Sequence, residues 1–203
     1  MKSATFATLA ACCLLAASCV SGTGRHSNYL ADLGPVNETR DPGKTHPPPA
    51  IPDDISYWDG DNVQGAPFIK ISRPQQKAYF YKGGTLVGVS LISSGKEGHN
   101  TPPGRYRIQL KDEHHESSLY GVFKDKTTHM TTNDNADIRD PLPPNNYFVH
   151  APMPYFMQVM PGIGMHTGYL PGYSASHGCI RMPDYMAKKF FANVQPGTPV
   201  EIE

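Results

Sequence analysis

Short apolar or alternating segments recur along the chain from about residue 67. They cover 67–71, 77–82, 86–92 and 104–110, each with a length that suits a β-strand better than a helix. The second and third are separated by Gly83-Gly84, which favours a tight turn because glycine accepts positive φ. The pattern predicts a β-hairpin within a mostly β domain.

The second half of the chain begins with a polar segment. Residues 111–144 carry no clear period, and we expect a long irregular excursion there, of a kind that is often functional. Strand-like segments follow at 147–150, 155–160 and 163–166, and a last one lies at 199–202.

One helix is predicted between the last two of these strands. Pro183 suits the first helical position, and Asp184 suits the positive end of the helix dipole. Apolar residues recur at helical spacing over 185–194, and Pro196-Gly197 ends the helix. The whole pattern therefore predicts a mainly β fold with one main helix.

The first residues are typical of an export signal. Lys2 precedes an apolar stretch at 6–17 that is too short to span a bilayer. Small residues then lead to Cys19, which suits lipidation of that cysteine; plain secretion after cleavage at a small residue is the alternative. We predict a lipoprotein-type signal peptide over 1–18, and export to the periplasm or cell envelope.

A proline-rich segment separates this signal from the folded part. Residues 19–54 include Pro47-Pro48-Pro49 and show neither helical nor strand periodicity. Such a segment buries too little apolar surface to fold, so we predict a disordered tether. The folded domain is predicted to cover 55–203.

Charge and cysteine content narrow the classes of function. Lys and Arg number 18, as do Asp and Glu, so nothing favours nucleic acid or an anionic membrane as a partner. Membrane contact is expected only through a lipid anchor on Cys19. Cys12 and Cys13 would leave with the signal, so Cys179 would be the one free thiol of the mature chain. A single thiol in an exported protein is either reactive or a buried inert residue.

The segment 166–181 carries the candidate chemistry. A cysteine acyltransferase needs a thiolate, a base, and donors for the oxyanion. Cys179 offers the sulfur, and Gly178 allows a sharp backbone turn beside it. His166 and His177 compete for the role of base, and an adjacent imidazole is expected to lower the pKa of the thiol.

These residues resemble the active-site signature of the L,D-transpeptidase catalytic-domain family. The signature is a histidine, here His166, a glycine-rich loop, and the Ser-His-Gly-Cys run at 176–179. Upstream, 77–84, then Ser-Ser-Gly-Lys at 93–96 and Thr-Pro-Pro-Gly-Arg-Tyr at 101–106, resemble the opening hairpin of the family and its Thr-Pro-x-Gly turn. The resemblance covers about 67–203. It implies a β-sandwich of mixed sheets with one main helix after the cysteine.

The resemblance also implies roles for single residues. By resemblance, Cys179 would be the nucleophile, and His166 would be the proton donor and acceptor. The backbone carbonyl of Thr167 orients His166. Backbone amides at His177, Gly178 and Cys179 form the oxyanion hole.

Three more residues are candidates for substrate contact. Ser176 would shape the site, Tyr169 would cover the substrate or pack on its own loop, and Arg181 stands where many members have Asn. Arg181 is suited to grip a stem-peptide carboxylate with two hydrogen bonds, or to pair with an acidic surface residue. The loop between His166 and Ser176 holds nine residues, fewer than in many members.

The implied activity is peptidoglycan cross-linking. The cysteine attacks a tetrapeptide stem, D-Ala leaves, and an amine of another stem resolves the thioester, without metal or cofactor. L,D-carboxypeptidase action and attachment of a protein to the wall share this acyl-enzyme. Two rivals remain: a zinc site made by Cys179, His177 and His166, and a non-catalytic wall-binding lipoprotein.

Overall fold

A computed structural model describes residues 52–203. The predicted signal peptide over 1–18, Cys19 and most of the tether lie outside the described residues, so they stay predictions. No helix in the described part of the chain is long and apolar enough to cross a membrane.

Thirteen strands and one α-helix occur within residues 52–203. In chain order they are β1 (Tyr57–Trp58), β2 (Pro67–Ser72), β3 (Lys77–Lys82), β4 (Thr85–Leu91), β5 (Gly104–Arg107), β6 (Leu110–Asp112), β7 (Glu116–Asp125), β8 (Thr131–Asp137), β9 (Asn146–Pro152), β10 (Phe156–Met160), β11 (Ile163–Thr167), β12 (Ile180–Met182), α1 (Asp184–Asn193) and β13 (Pro199–Ile202).

The strands form three sheets. A six-stranded sheet has the order β1-β4-β3-β2-β13-β5, a four-stranded sheet has the order β12-β11-β10-β6, and a three-stranded sheet has the order β8-β7-β9. The first two sheets are mixed, because β13 runs parallel to β2 and β12 runs parallel to β11. The expected mainly β fold of mixed sheets with one helix is confirmed.

The predicted hairpin and helix are both present. Strands β3 and β4 are joined by Gly83 and Gly84, whose φ values of 56° and 86° only glycine adopts readily. Helix α1 begins at Asp184, one residue later than predicted, because Pro183 keeps an extended ψ of 143° and caps the helix instead of entering it.

The main core lies where α1, the six-stranded sheet and the four-stranded sheet meet. Phe190 of α1 packs edge-on against Phe80 of β3, with ring centroids 4.9 Å apart, and both side chains are fully buried. Met165 of β11 and Ile180 of β12 belong to the same cluster. One face of the β11–β12 pair is therefore fixed against the core, which leaves the opposite face for chemistry.

The structure contradicts two predictions about the middle of the chain. Residues 111–144 were expected to be irregular, but they contain β7 and β8, whose many polar residues hide the strand pattern. The segment 104–110 was expected to be one strand. It is divided instead, because the chain leaves the six-stranded sheet after Arg107 and enters the four-stranded sheet at Leu110.

Candidate active site

The parallel pairing of β11 and β12 sets the side on which the candidate histidine lies, and the candidate cysteine comes one residue before β12. Met165 lies opposite Ile180 in the register, and His166 lies opposite Arg181. Met165 and Ile180 point into the core, so His166 and Arg181 lie on the other face. Cys179 lies one residue before β12, and its side chain clusters with Phe156, whose ring also approaches that of His166.

Phe156 of β10 lies beside both Cys179 and His166, and we term it the Phe156 wall. It forms a small buried cluster with Cys179 and Met153, and its ring centroid lies 6.4 Å from that of His166. The Cys179 thiol donates a hydrogen bond to the carbonyl oxygen of Gly162, with an S···O distance of 3.7 Å. Cys179 is buried, with 9% of the residue exposed.

His166 is held in one orientation and one tautomer. Its Nδ1–H donates to the carbonyl oxygen of Thr167 at 2.6 Å, so Nε2 carries the lone pair. Nε2 is buried and has no hydrogen-bond partner among residues 52–203. Burial, followed by the charge of Arg181, lowers the pKa of His166 to about 3, so the ring is neutral at pH 7.

The sulfur is a thiol, not a thiolate. Burial raises the pKa of Cys179, and this outweighs the opposing effects of a backbone hydrogen bond from Gly164 and the charge of Arg181. The expectation that an adjacent imidazole lowers the pKa of this thiol is therefore wrong, because desolvation of the thiolate dominates. A base must take the proton as the sulfur attacks.

The Ser-His-Gly-Cys run turns sharply around the Ser176 hydroxyl. Ser176 Oγ donates to the carbonyl oxygen of Cys179 and accepts the Gly178 N–H at 3.0 Å, while Gly178 adopts a φ of 118°. Ser176 is 1% exposed, so it supports the loop and is not placed to touch a substrate. The Gly178 amide is likewise engaged, which argues against the oxyanion role expected for it.

His177 contacts a different set of side chains from Cys179. Its Nε2 lies 3.3 Å from Lys96 Nζ, and its ring stacks on Tyr120 with centroids 4.4 Å apart and meets His99 edge-on. Burial, followed by the charge of Lys96, lowers the pKa of His177 to about 4. The Phe156 wall joins Cys179 to His166 and not to this cluster, which favours His166 as the base.

Arg181 is a buried charge close to the site, and it is not exposed for contact with a substrate. It is 3% exposed, and its aliphatic stem runs so close to Gly168 that an added Cβ there would lie 2.7 Å from Arg181 Cγ. Its charge lowers the pKa of His166 and opposes the rise in the pKa of Cys179. Tyr169, the other expected substrate contact, is half-buried in the loop after β11.

The zinc alternative is not supported within residues 52–203. No group of three His, Cys, Asp or Glu side chains lies close enough there to hold a metal ion. The trio of Cys179, His177 and His166 is therefore not a ligand set. His115, next to His114 in the sequence, stacks on Phe156 with centroids 4.1 Å apart.

Sequence reasoning missed part of the surroundings of the motif. Tyr120 lies on β7, in the segment expected to be irregular, and nothing in its local sequence pointed to His177. Lys96 and His99 lie in the loop after β4, where the family-like Ser-Ser-Gly-Lys run at 93–96 was the one available signal.

Comparison with known proteins identifies the fold family. A sequence model of the YkuD L,D-transpeptidase catalytic domain matches residues 66–202. Among curated proteins, none matches the chain. An L,D-transpeptidase mutant from Enterococcus faecium is similar in structure, at 25% identity over 69% of this chain and 50% of that chain, with a TM-score of 0.50.

Two further solved structures share the fold. The L,D-transpeptidase from Mycobacterium smegmatis is 19% identical over 68% of this chain and 59% of that chain, with a TM-score of 0.50. The one from Xylanimonas cellulosilytica is 18% identical over 70% and 62%, with a TM-score of 0.51. This chain spans less than two thirds of each of the three. The family match, the motif and the mixed-sheet fold agree, and the chain belongs to the L,D-transpeptidase catalytic-domain family.

Proposed function

We propose that this protein is a peptidoglycan L,D-transpeptidase that works through an acyl-enzyme on Cys179. The observation that carries the proposal is that Cys179 and His166 both lie beside the side chain of Phe156. The buried Nε2 of His166, without a partner among residues 52–203, supports the role of base. The proposed substrate is a tetrapeptide stem of peptidoglycan.

Acylation begins with a thiol and a neutral imidazole. His166 Nε2 takes the thiol proton while Sγ attacks a carbonyl carbon. That carbon belongs to the peptide bond that joins the L-centre of diaminopimelate to the terminal D-Ala. Backbone N–H groups beside Cys179 bind the resulting oxyanion. The C–N bond then breaks, the imidazolium returns the proton to the departing amine of D-Ala, and a thioester remains.

The second half-reaction consumes the thioester. The side-chain amine of another stem attacks the thioester carbonyl and gives its proton to His166. The C–S bond breaks, the sulfur regains a proton, and a new amide joins the two stems. If water replaces the amine the product is a tripeptide, and if a protein amine replaces it the product is a wall-anchored protein.

Product analysis after incubation with a disaccharide tetrapeptide tests the proposal. We expect a cross-linked dimer and free D-Ala. A tripeptide as the sole product would indicate L,D-carboxypeptidase action in place of transpeptidation. No product and no thioester would contradict both activities and favour a non-catalytic wall-binding protein.

Substitution of the sulfur tests the nucleophile directly. We expect Cys179→Ala to abolish turnover and to prevent the mass increase that a carbapenem adduct gives the wild-type chain. The exposed Ser118→Ala variant serves as a control and should behave as wild type. Turnover by Cys179→Ala with an unchanged melting temperature would remove Cys179 from the mechanism.

We also propose that the protein is exported and anchored through a lipid on Cys19. The support is the apolar stretch at 6–17 with small residues before Cys19. Labelled palmitate should enter the wild-type protein in bacterial cells but not Cys19→Ser. A protein that is exported and cleaved but unlabelled would indicate plain secretion.

A further inference from the structure

Residues 93–101, the segment between β4 and β5 that we term the motif cradle, hold the Ser-His-Gly-Cys run from behind. The Lys96 N–H donates to the carbonyl oxygen of Ser176 at 3.0 Å, and the Ser176 N–H donates to the carbonyl oxygen of Ser94 at 3.0 Å. Ser93 exchanges two backbone hydrogen bonds with Arg181, each 3.0 Å long. The cradle therefore grips the motif on both sides of the cysteine.

Thr101 ends the cradle and is the one member whose side chain reaches the peptide bond before the cysteine. It is fully buried, and its Oγ1 donates to the carbonyl oxygen of Gly178 at 2.7 Å. The same oxygen accepts the Gly95 N–H at 2.9 Å, so its hydrogen is committed to Gly178. Arg73 holds the backbone of Thr101 through a hydrogen bond of 3.0 Å to its carbonyl oxygen.

The geometry of a peptide bond converts this contact into an effect on the site. The carbonyl of Gly178 and the N–H of Cys179 belong to one planar trans peptide and point in opposite directions. A hydrogen bond that fixes the carbonyl towards Thr101 therefore fixes the Cys179 N–H away from it. That N–H belongs to the residue whose sulfur attacks, so its direction bears on the charge that develops beside the sulfur.

The peptide bond after the cysteine is fixed as well. The Ser176 hydroxyl donates to the carbonyl oxygen of Cys179, and it also engages the Gly178 N–H. Two buried hydroxyls, of Thr101 and Ser176, thus restrain the two peptide groups that flank Cys179. Because the Gly178 amide is already engaged, the direction of the Cys179 amide matters most for an oxyanion.

We propose that Thr101 is a positioning residue that aims the Cys179 N–H at the oxyanion formed during acyl transfer. This inference rests on the proposed acyl-enzyme function. Thr101 does not touch the substrate; it acts through the Gly178–Cys179 peptide. Preorganised donors of this kind stabilise a transition state because they need no reorientation as charge develops.

The test compares Thr101→Val, which removes the hydroxyl at similar volume, with Thr101→Ser, which keeps it. Two rates are measured on each: acylation of Cys179 by the disaccharide tetrapeptide, and alkylation of Cys179 by iodoacetamide. Alkylation forms no oxyanion, so it reports only on the sulfur and its base. We expect Thr101→Val to slow acylation about 100-fold with KM and alkylation nearly unchanged, and Thr101→Ser to restore most of the acylation rate.

Equal acylation rates in Thr101→Val and wild type would overturn the inference, as would a parallel loss of acylation and alkylation, which would indicate general damage to the site. If Thr101→Val does not fold, the wild-type amide resonances decide. Formation of a carbapenem acyl-enzyme should then move the Cys179 amide proton downfield, and an unmoved resonance would overturn the inference. If neither the disaccharide tetrapeptide nor the carbapenem acylates the wild-type chain, the proposed function itself is contradicted, independently of the role of Thr101.

Discussion

Burial sets the protonation state of both proposed catalytic groups. The same loss of solvation lowers the pKa of His166 to about 3 and raises the pKa of the Cys179 thiol, because each group is kept in its neutral form. The resting pair is therefore a thiol and an imidazole, not a thiolate and an imidazolium. Proton transfer has to accompany the attack of sulfur on the carbonyl.

His166 and His177 should differ sharply when each is replaced. We expect His166→Gln to lower the acylation rate at least about 100-fold, which is within the range for loss of a general base. His177→Gln should cost far less, because His177 contacts Lys96 and Tyr120 and lies outside the Phe156 wall. Single-turnover acylation by the tetrapeptide measures both. The opposite order would make His177 the base.

Stability should fall in mild acid because of the same buried ring. Below pH 6.5 the unfolded chain protonates His166, whereas the folded chain does not do so until about pH 3. The free energy of unfolding should therefore decrease from pH 6.5 downward, by about 1.4 kcal/mol per pH unit for this one histidine. His177, with a pKa near 4, contributes in the same direction.

Urea unfolding at pH 7.5 and pH 5 measures this dependence. The wild-type chain should be less stable at pH 5, and His166→Gln should show a smaller decrease. Equal unfolding free energies of the wild type at both pH values would mean that His166 is not held neutral in the folded state.

Among the elements, the three-stranded sheet contacts the site in a way that the sequence did not predict. Tyr120 on β7 stacks on the His177 ring at an interplanar angle of 20°, and Asp137, its partner in the register on β8, binds Arg139. The sheet thus reaches the motif from outside the main core. It contacts the Ser-His-Gly-Cys loop through the Tyr120 ring.

Removal of this contact should affect activity more than stability. We expect Tyr120→Ala to lower kcat/KM for the tetrapeptide by roughly tenfold, because the loss of an aromatic pair worth about 1 kcal/mol loosens the motif. Leu119→Ala, at the neighbouring exposed position, is the matched control and should change little. Equal kcat/KM values for the two variants would show that the Tyr120 contact of the three-stranded sheet does not contribute to catalysis.

Over the whole molecule, the last strand closes the main sheet. Strand β13 lies between β2 and β5, parallel to one and antiparallel to the other, and it buries Val200 and Ile202 in the core. The sheet order therefore joins the C-terminus to strands from the first half of the domain. Such non-local pairing makes the fold depend on residues that look peripheral in the sequence.

Truncation at the two ends should have opposite results. A chain that stops before Pro199 should lose its cooperative thermal transition, because β2 and β5 would lose their shared neighbour. A chain that starts at residue 52 should keep the melting temperature of the full chain, because the predicted tether carries little apolar sequence. Scanning calorimetry of both measures this, and cooperative unfolding of the C-terminal truncation would show that β13 is dispensable.

The sequence by itself determined the elements that depend only on residues close together in the chain. Gly83-Gly84 specifies a turn by its backbone freedom, α1 is marked by apolar spacing and by Pro183, and the Ser-His-Gly-Cys run identifies the family without any coordinates. These features rest on neighbours in the chain, so a single sequence is sufficient to predict them.

Tertiary structure decided what depends on residues distant in the chain. The strands β7 and β8 escaped prediction because their stability comes from cross-strand pairing and not from an apolar alternation. The preference for His166 came from Phe156, which lies beside both Cys179 and His166, and the neutral state of the thiol came from its burial. The hydrogen bond from Thr101 to Gly178 likewise exists only after the cradle has folded against the motif, because desolvation and peptide orientation are properties of the assembled site.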